Sequence, residues 1–165
     1  MKWYVVRARP SLELKAAEEI AGLGQVAYVS RYRKEYKHAR HKGWSVKYYS
    51  LMPGYLFVLA TDHWPRVLNC ESVDCILRSN NGEPVPIPDT TVQAIRQAQD
   101  AGDYDEMRVH GRLEAGTSVK VLTGALAGLH GPVSASTDAH VIMTLQMFGR
   151  EVAAKVPLEK LGHTG

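Results

Sequence analysis

Pro53-Gly54, followed without a break by Tyr55-Leu56-Phe57-Val58-Leu59-Ala60, restricts the fold of this chain more than any other stretch. An apolar run after a turn dipeptide predicts a strand buried on both faces, the central strand of a small sheet. The residues just before it belong to a different environment. Positions 31–50 carry seven Lys/Arg against one acid, Glu35, with Tyr32, Tyr36, Trp44, Tyr48 and Tyr49 interleaved. Such a segment has to project into solvent, as a long two-stranded arm or a partly ordered loop with Lys42-Gly43 at its tip, and feed back into the central strand.

The remaining elements follow in order. Trp3 to Ala8 is a short β-prone run. Ser11 is expected to cap a helix on which Ala16, Ile20 and Leu23 recur at helical spacing, and Gly22 and Gly24 end it. A second strand is expected within Gln25 to Ser30. Asp62 is expected to cap a short helix through Trp64, Val67 and Leu68, with Pro65 in its first turn. Val73 to Arg78 predicts another strand, Asn80-Asn81-Gly82 a turn, and Pro84, Pro86 and Pro88 an extended segment. Asp89 is then expected to cap a helix presenting Val92, Ile95 and Ala98, closed by Gly102. This alternation predicts an α+β sandwich of sheet and helices over residues 1–101. Residues 102–115, polar and acidic without periodicity, are expected to form a linker. Residues 116–165 hold only short extended segments, most of them set off by glycines, and predict a small closed β-barrel.

Composition narrows the function. No apolar run approaches the ~20 residues of a membrane span, and the N-terminus lacks a signal-peptide layout, so a cytoplasmic location is expected. Cys70 and Cys75 stand five apart, outside the common zinc and redox spacings, and are expected to be reduced structural thiols. The net charge of +3 is unevenly spread: residues 51–110 hold four Lys/Arg against nine acids, opposite in sign to the arm. That is a localised footprint for a polyanion. Arg31, Arg33, Lys34, Lys37, Arg40, Lys42 and Lys47 can neutralise phosphates, and Tyr32, Tyr36 and Trp44 can stack on unpaired bases. A solvated projection against an acidic protein surface is the plainer reading. His38 and His41 lack the two further ligands a metal needs. No nucleophile elbow, P-loop or metal-binding carboxylate set is present, so neither enzyme activity nor a cofactor is expected. The acids at 100, 103, 105 and 106 read as solvated.

Several short motifs stand in a telling order: Trp3-Tyr4-Val5-Val6, Met52-Pro53-Gly54-Tyr55-Leu56-Phe57-Val58, Pro84-Val85-Pro86-Ile87-Pro88, Gly116 to Gly131, and Met147-Phe148-Gly149-Arg150. Together they resemble the NusG family of bacterial transcription elongation factors, nearly end to end. The resemblance implies an N-terminal NGN-type domain that binds RNA polymerase at the clamp helices of its largest subunit, with Trp3, Met52, Pro53 and Tyr55 at the matching positions. It implies a C-terminal KOW barrel that recruits termination factor Rho or a small-subunit ribosomal protein through Leu126, Leu129, Phe148 and Arg150. Met52 stands where the family usually has Phe, and Leu126 and Leu129 replace two phenylalanines of the KOW loop. These departures, with the basic arm, favour a specialised or phage-type paralogue.

The leading function is therefore a non-enzymatic elongation factor that modulates pausing and termination, with processive antitermination the favoured direction. Its arm would meet DNA or RNA in the elongation complex, and single-stranded DNA, duplex and nascent RNA are not distinguished. The alternative is a stand-alone RNA-binding or ribosome-associated KOW protein. No membrane partner is implied.

Overall fold

The computed structural model describes residues 1–164, and the chain forms two compact units. The first comprises Met1–Tyr32 and Tyr48–Tyr104; the second comprises Arg33–Lys47 and the chain from Asp105 onward.

The first unit is built on one antiparallel sheet. Its strands are β1 (Lys2–Ala8), β2 (Ala27–Tyr28), β5 (Tyr55–Leu59), β6 (Val73–Ile76) and β7 (Pro86–Pro88), in the order β2-β5-β1-β6 with β7 also on β1. The expected central strand, β5, is indeed interior, with β2 on one side and β1 on the other, in the register Trp3 to Leu59 and Arg7 to Tyr55. Alternation then assigns its faces. Leu56 and Val58 join Val6, Ala16 and Ile20 in a core beneath helix α1 (Glu13–Gly22). Phe57 joins Trp3 and Val92 beneath helix α2 (Asp89–Ala101). A six-residue 3₁₀ helix, Trp64–Asn69, carries Pro65 in its first turn as expected and buries Val67.

Three caps differ from expectation, the first being that of the 3₁₀ helix, which starts from His63 with no side-chain cap and not from Asp62. Helix α1 starts from Leu12 with no side-chain cap, because Ser11 sits at φ +62° in the preceding turn. Asp89 is the first helical residue of α2, preceded by Pro88, and its carboxylate serves Trp3. Gly102, at φ +82°, closes α2 as expected.

The second unit combines a ribbon and a strand-rich module. Strands β3 (Arg31–Lys37) and β4 (Trp44–Ser50) form the arm, and the His38 N–H bonds the Gly43 carbonyl across its tip at 3.0 Å. Strands β8 (Ser118–Val121), β9 (His130–Ser136), β10 (His140–Met147), β11 (Arg150–Pro157) and β12 (Leu161–His163) form an antiparallel sheet in the order β11-β10-β9-β8-β12. They enclose one core, with Val119, Val121, Val133, Val141, Met143, Leu145, Val156 and Leu161 buried. Gly131 is required there by space, not by turn geometry: a Cβ would lie 1.9 Å from the Thr144 carbonyl oxygen. Gly124 does take a positive φ of +95°.

Residues 105–109 are not the open chain expected of a linker. The Glu106 N–H donates to the Arg33 carbonyl at 2.8 Å and the Glu35 N–H to the Glu106 carbonyl at 3.1 Å. Val109 is buried in the module's core, with its N–H on Leu161. Val109 stands between Arg108 and His110 with no periodicity to betray its burial.

Candidate interaction surfaces

In the first unit, the sheet face under α2 is only partly roofed. Trp3 is 3% exposed, its indole N–H donating to Asp89 Oδ1 at 2.8 Å and the Arg96 guanidinium 5.2 Å from its ring. Trp3 therefore lies in the core and cannot itself be a contact surface. Met52, Val5, Leu59 and Ile95 pack against that cluster yet remain half-buried. Pro53 and Tyr55 are exposed at the neighbouring strand entrance. Gly54, at φ +84°, makes that entrance, and its N–H is held by Glu13 Oε1 at 2.6 Å. Large apolar side chains with one open edge are what a protein interface uses as anchors.

The Trp3 bond is the largest influence on Asp89, and it holds that carboxyl below its ordinary value. Glu19 is likewise held down, first by the Ser72 N–H and then by the Ser72 hydroxyl, both at 2.9 Å. Burial pushes the Cys70 thiol up, and both cysteines are free, consistent with inert thiols.

The arm holds part of its charge internally. Arg33 gives its N–H to Asp105 Oδ1 at 2.7 Å, and its Nε and Nη2 to Oδ2 at 2.7 and 2.6 Å. Lys34 pairs with Glu106 at 2.5 Å and Lys37 with Glu159 at 3.4 Å. Glu35, the arm's one acid, accepts from Arg108 Nε at 3.0 Å, and the Arg108 guanidinium lies 4.0 Å from the Trp44 centroid. Lys37 also approaches Trp44, at 5.8 Å, so this indole is covered rather than offered for stacking. Tyr36 is likewise occupied, by Lys47 at 4.7 Å and His38 at 5.0 Å. Arg40 and Lys42, exposed at the tip, form no ion pair among the described residues. Asp105 and Glu106, read from sequence as solvated, are the counter-charges of β3. Nothing local signals this, since they lie some seventy residues from the arm.

In the strand-rich module, Met147 pairs with Arg150, leaving Phe148-Gly149 as a two-residue loop. Both loop residues have positive φ, +51° and +74°, the type I′ pattern. Phe148 is 97% exposed. Leu126 and Leu129 are half-buried against the module's core, and Arg150 is exposed. Phe148 and Arg150 thus share one hairpin end, while the two leucines offer only their edges.

Among the described residues, no group of three or more His, Cys, Asp or Glu is placed to hold a metal ion. His38 Nε2 lies 2.6 Å from Ser45 Oγ. No described helix is long and apolar enough to cross a membrane.

A family model described as "Transcription termination factor nusG" matches residues 1–96. The chain belongs to the NusG family of transcription elongation factors. Among solved structures it is similar to "Domain interaction in Thermotoga maritima NusG", with 21% identity over 97% of this chain and 95% of that one, at a TM-score of 0.42. It is also similar to "Crystal Structure of MjSpt4:Spt5 complex conformation A", with 14% identity over 97% and 96% and a TM-score of 0.38. Conformation B of that complex gives 13% identity over 97% and 95%, at 0.33. No curated protein sequence matches the chain.

Proposed function

We propose that this NusG-family chain binds RNA polymerase through its first unit, holds the enzyme closed around nucleic acid, and suppresses pausing and termination in the manner of a processive antiterminator. Residues 1–101 supply the polymerase-binding part and residues 116–165 a KOW module for a further partner. The contact on the largest subunit's clamp helices is made by Met52, Pro53 and Tyr55, with Trp3 fixing the sheet behind them. The observation that carries this reading is the half-open apolar face around Met52, Val5 and Leu59, in the segment that matches the family. The arm's cations, Arg40 and Lys42 foremost, meet DNA or RNA in the elongation complex. Phe148 and Arg150, flanked by Leu126 and Leu129, present the KOW module to Rho or a small-subunit ribosomal protein. An aromatic ring held almost wholly in water at positive φ supports that assignment, since packing gives no reason for it.

The deciding experiment is binding of the full chain to core RNA polymerase, wild type beside Tyr55→Asp. Tyr55 is 37% exposed, so the substitution leaves the fold intact. Loss of binding in the variant supports the clamp contact. Equal binding by both proteins excludes this face, and no binding by wild type sinks the elongation-factor reading.

A further inference from the structure

We infer that the polymerase-facing patch ends in a charge-reading subsite, in which the Arg9 guanidinium takes a carboxylate of the partner protein. This rests on the reading that Pro53 and Tyr55 contact polymerase, and it adds a specificity-determining residue to that contact.

The sheet carries charge beside the patch. Arg7 is the register partner of Tyr55, so the two side chains share a face, and alternation places Trp3 and Val5 on it as well. Arg7, Arg9, Glu13 and Asp74 line a cavity of about 540 Å³ together with Pro53 and Tyr55. A protein that settles on Pro53 and Tyr55 therefore also meets this cavity. Three of its four ionisable groups already have partners. Arg7 Nε donates to Asp74 Oδ2 at 2.8 Å, and Glu13 Oε1 accepts the Gly54 N–H at 2.6 Å. Arg9 is exposed and forms no ion pair among the described residues. Its backbone N–H is fixed on the Ser72 carbonyl at 2.9 Å, which holds the cation at the cavity edge.

Charge selects the occupant. Docking takes the Arg9 guanidinium out of bulk water, and a cation covered without a counter-charge weakens an interface. A partner that binds here has to supply an acid. The lining as a whole carries two cations and two carboxylates, so it has no net charge with which to draw a polyanion, and Asp74 and Glu13 repel a phosphate chain. One aspartate or glutamate at the edge of an apolar protein surface matches the one unpaired guanidinium, whose planar fork suits a carboxylate. Arg9 stands outside the basic arm, so the charge count along the sequence does not single it out.

The test is binding of the full chain to core RNA polymerase free of nucleic acid, repeated with the same enzyme on a DNA–RNA scaffold. Wild type is compared with Arg9→Gln, Arg9→Lys, Arg9→Glu and Tyr55→Asp, and circular dichroism verifies that each is folded. Arg9→Gln is expected to weaken binding to the free enzyme by roughly ten- to a hundredfold and to flatten its salt dependence. Arg9→Glu is expected to weaken it further, Arg9→Lys to recover part of the loss, and the scaffold to leave these ratios unchanged. If Arg9→Gln binds the free enzyme as wild type does while Tyr55→Asp fails, the subsite is overturned and the clamp contact stands. If Arg9→Gln loses affinity only on the scaffold, Arg9 meets a phosphate and the inference is wrong. Equal losses in Arg9→Gln and Arg9→Lys also overturn it, since charge would then play no part. If Tyr55→Asp binds the free enzyme as wild type does, the clamp contact falls and the subsite falls with it.

Discussion

Phe148 combines almost full exposure with a backbone that non-glycine residues avoid. A left-handed φ costs of order 1 kcal/mol for a bulky side chain, and the first position of a type I′ turn favours Asn or Gly. Phe148→Asn should therefore raise the stability of the strand-rich module by about 1 kcal/mol in urea unfolding, while lowering affinity for the KOW partner. A variant that destabilises would show that the ring packs in solution. Titration at Asp89 and Glu19 is the second residue-level consequence. Both carboxyls are held below their ordinary values by hydrogen bonds from Trp3 and Ser72, so their contribution to stability is complete above the unfolded-state value. It is lost as pH falls through the lower folded-state value. Urea midpoints followed from neutral pH into the acid range should fall, and Trp3→Phe or Ser72→Ala should flatten that fall by removing the donor.

At the scale of elements, legibility followed locality. Strand β5 and helix α2 were readable because an unbroken apolar run and a Val92, Ile95, Ala98 stripe each announce their own environment. The four longer strands of the strand-rich module, β8 to β11, were readable as β-prone segments, most of them set off by glycines. Strand β12 was missed: Leu161-Gly162-His163 is too short to show alternation, and only its pairing with β8 makes it a strand. Ser11 looked like a cap because its residue type fits one, and the turn that takes it to φ +62° is set by tertiary packing. At the candidate surfaces, the sequence named Phe148 and Tyr55 but not their exposure. The family resemblance, not the residue pattern, placed Trp3 at a contact surface, since a conspicuous indole reads the same inside or out. Gly131 shows the limit most plainly, since its need comes from a strand thirteen residues away. Gly131→Ala should cost several kcal/mol, because the clash is with backbone that cannot move aside, whereas Gly124→Ala should cost about 1 kcal/mol through its φ alone. Thermal unfolding of the two variants side by side checks the contrast.

At the scale of the molecule, three of the arm's cations, Arg33, Lys34 and Lys37, are balanced by acids distant in sequence, Asp105, Glu106 and Glu159. Asp105→Asn/Glu106→Gln removes two negative charges beside β3 and should tighten binding to any polyanion several-fold at low salt, with a steeper salt slope. Unchanged affinity would mean that these acids do not temper the footprint. The chain passes between its two units three times, at 32–33, 47–48 and 104–105. Dissection at residue 101 is therefore not neutral for this molecule. A fragment ending there keeps all seven arm cations but parts them from Asp105, Glu106 and Glu159. Such a fragment would adhere to nucleic acid with an appetite that the intact chain restrains, and affinities measured on it would describe an exposed polycation in place of a tempered one.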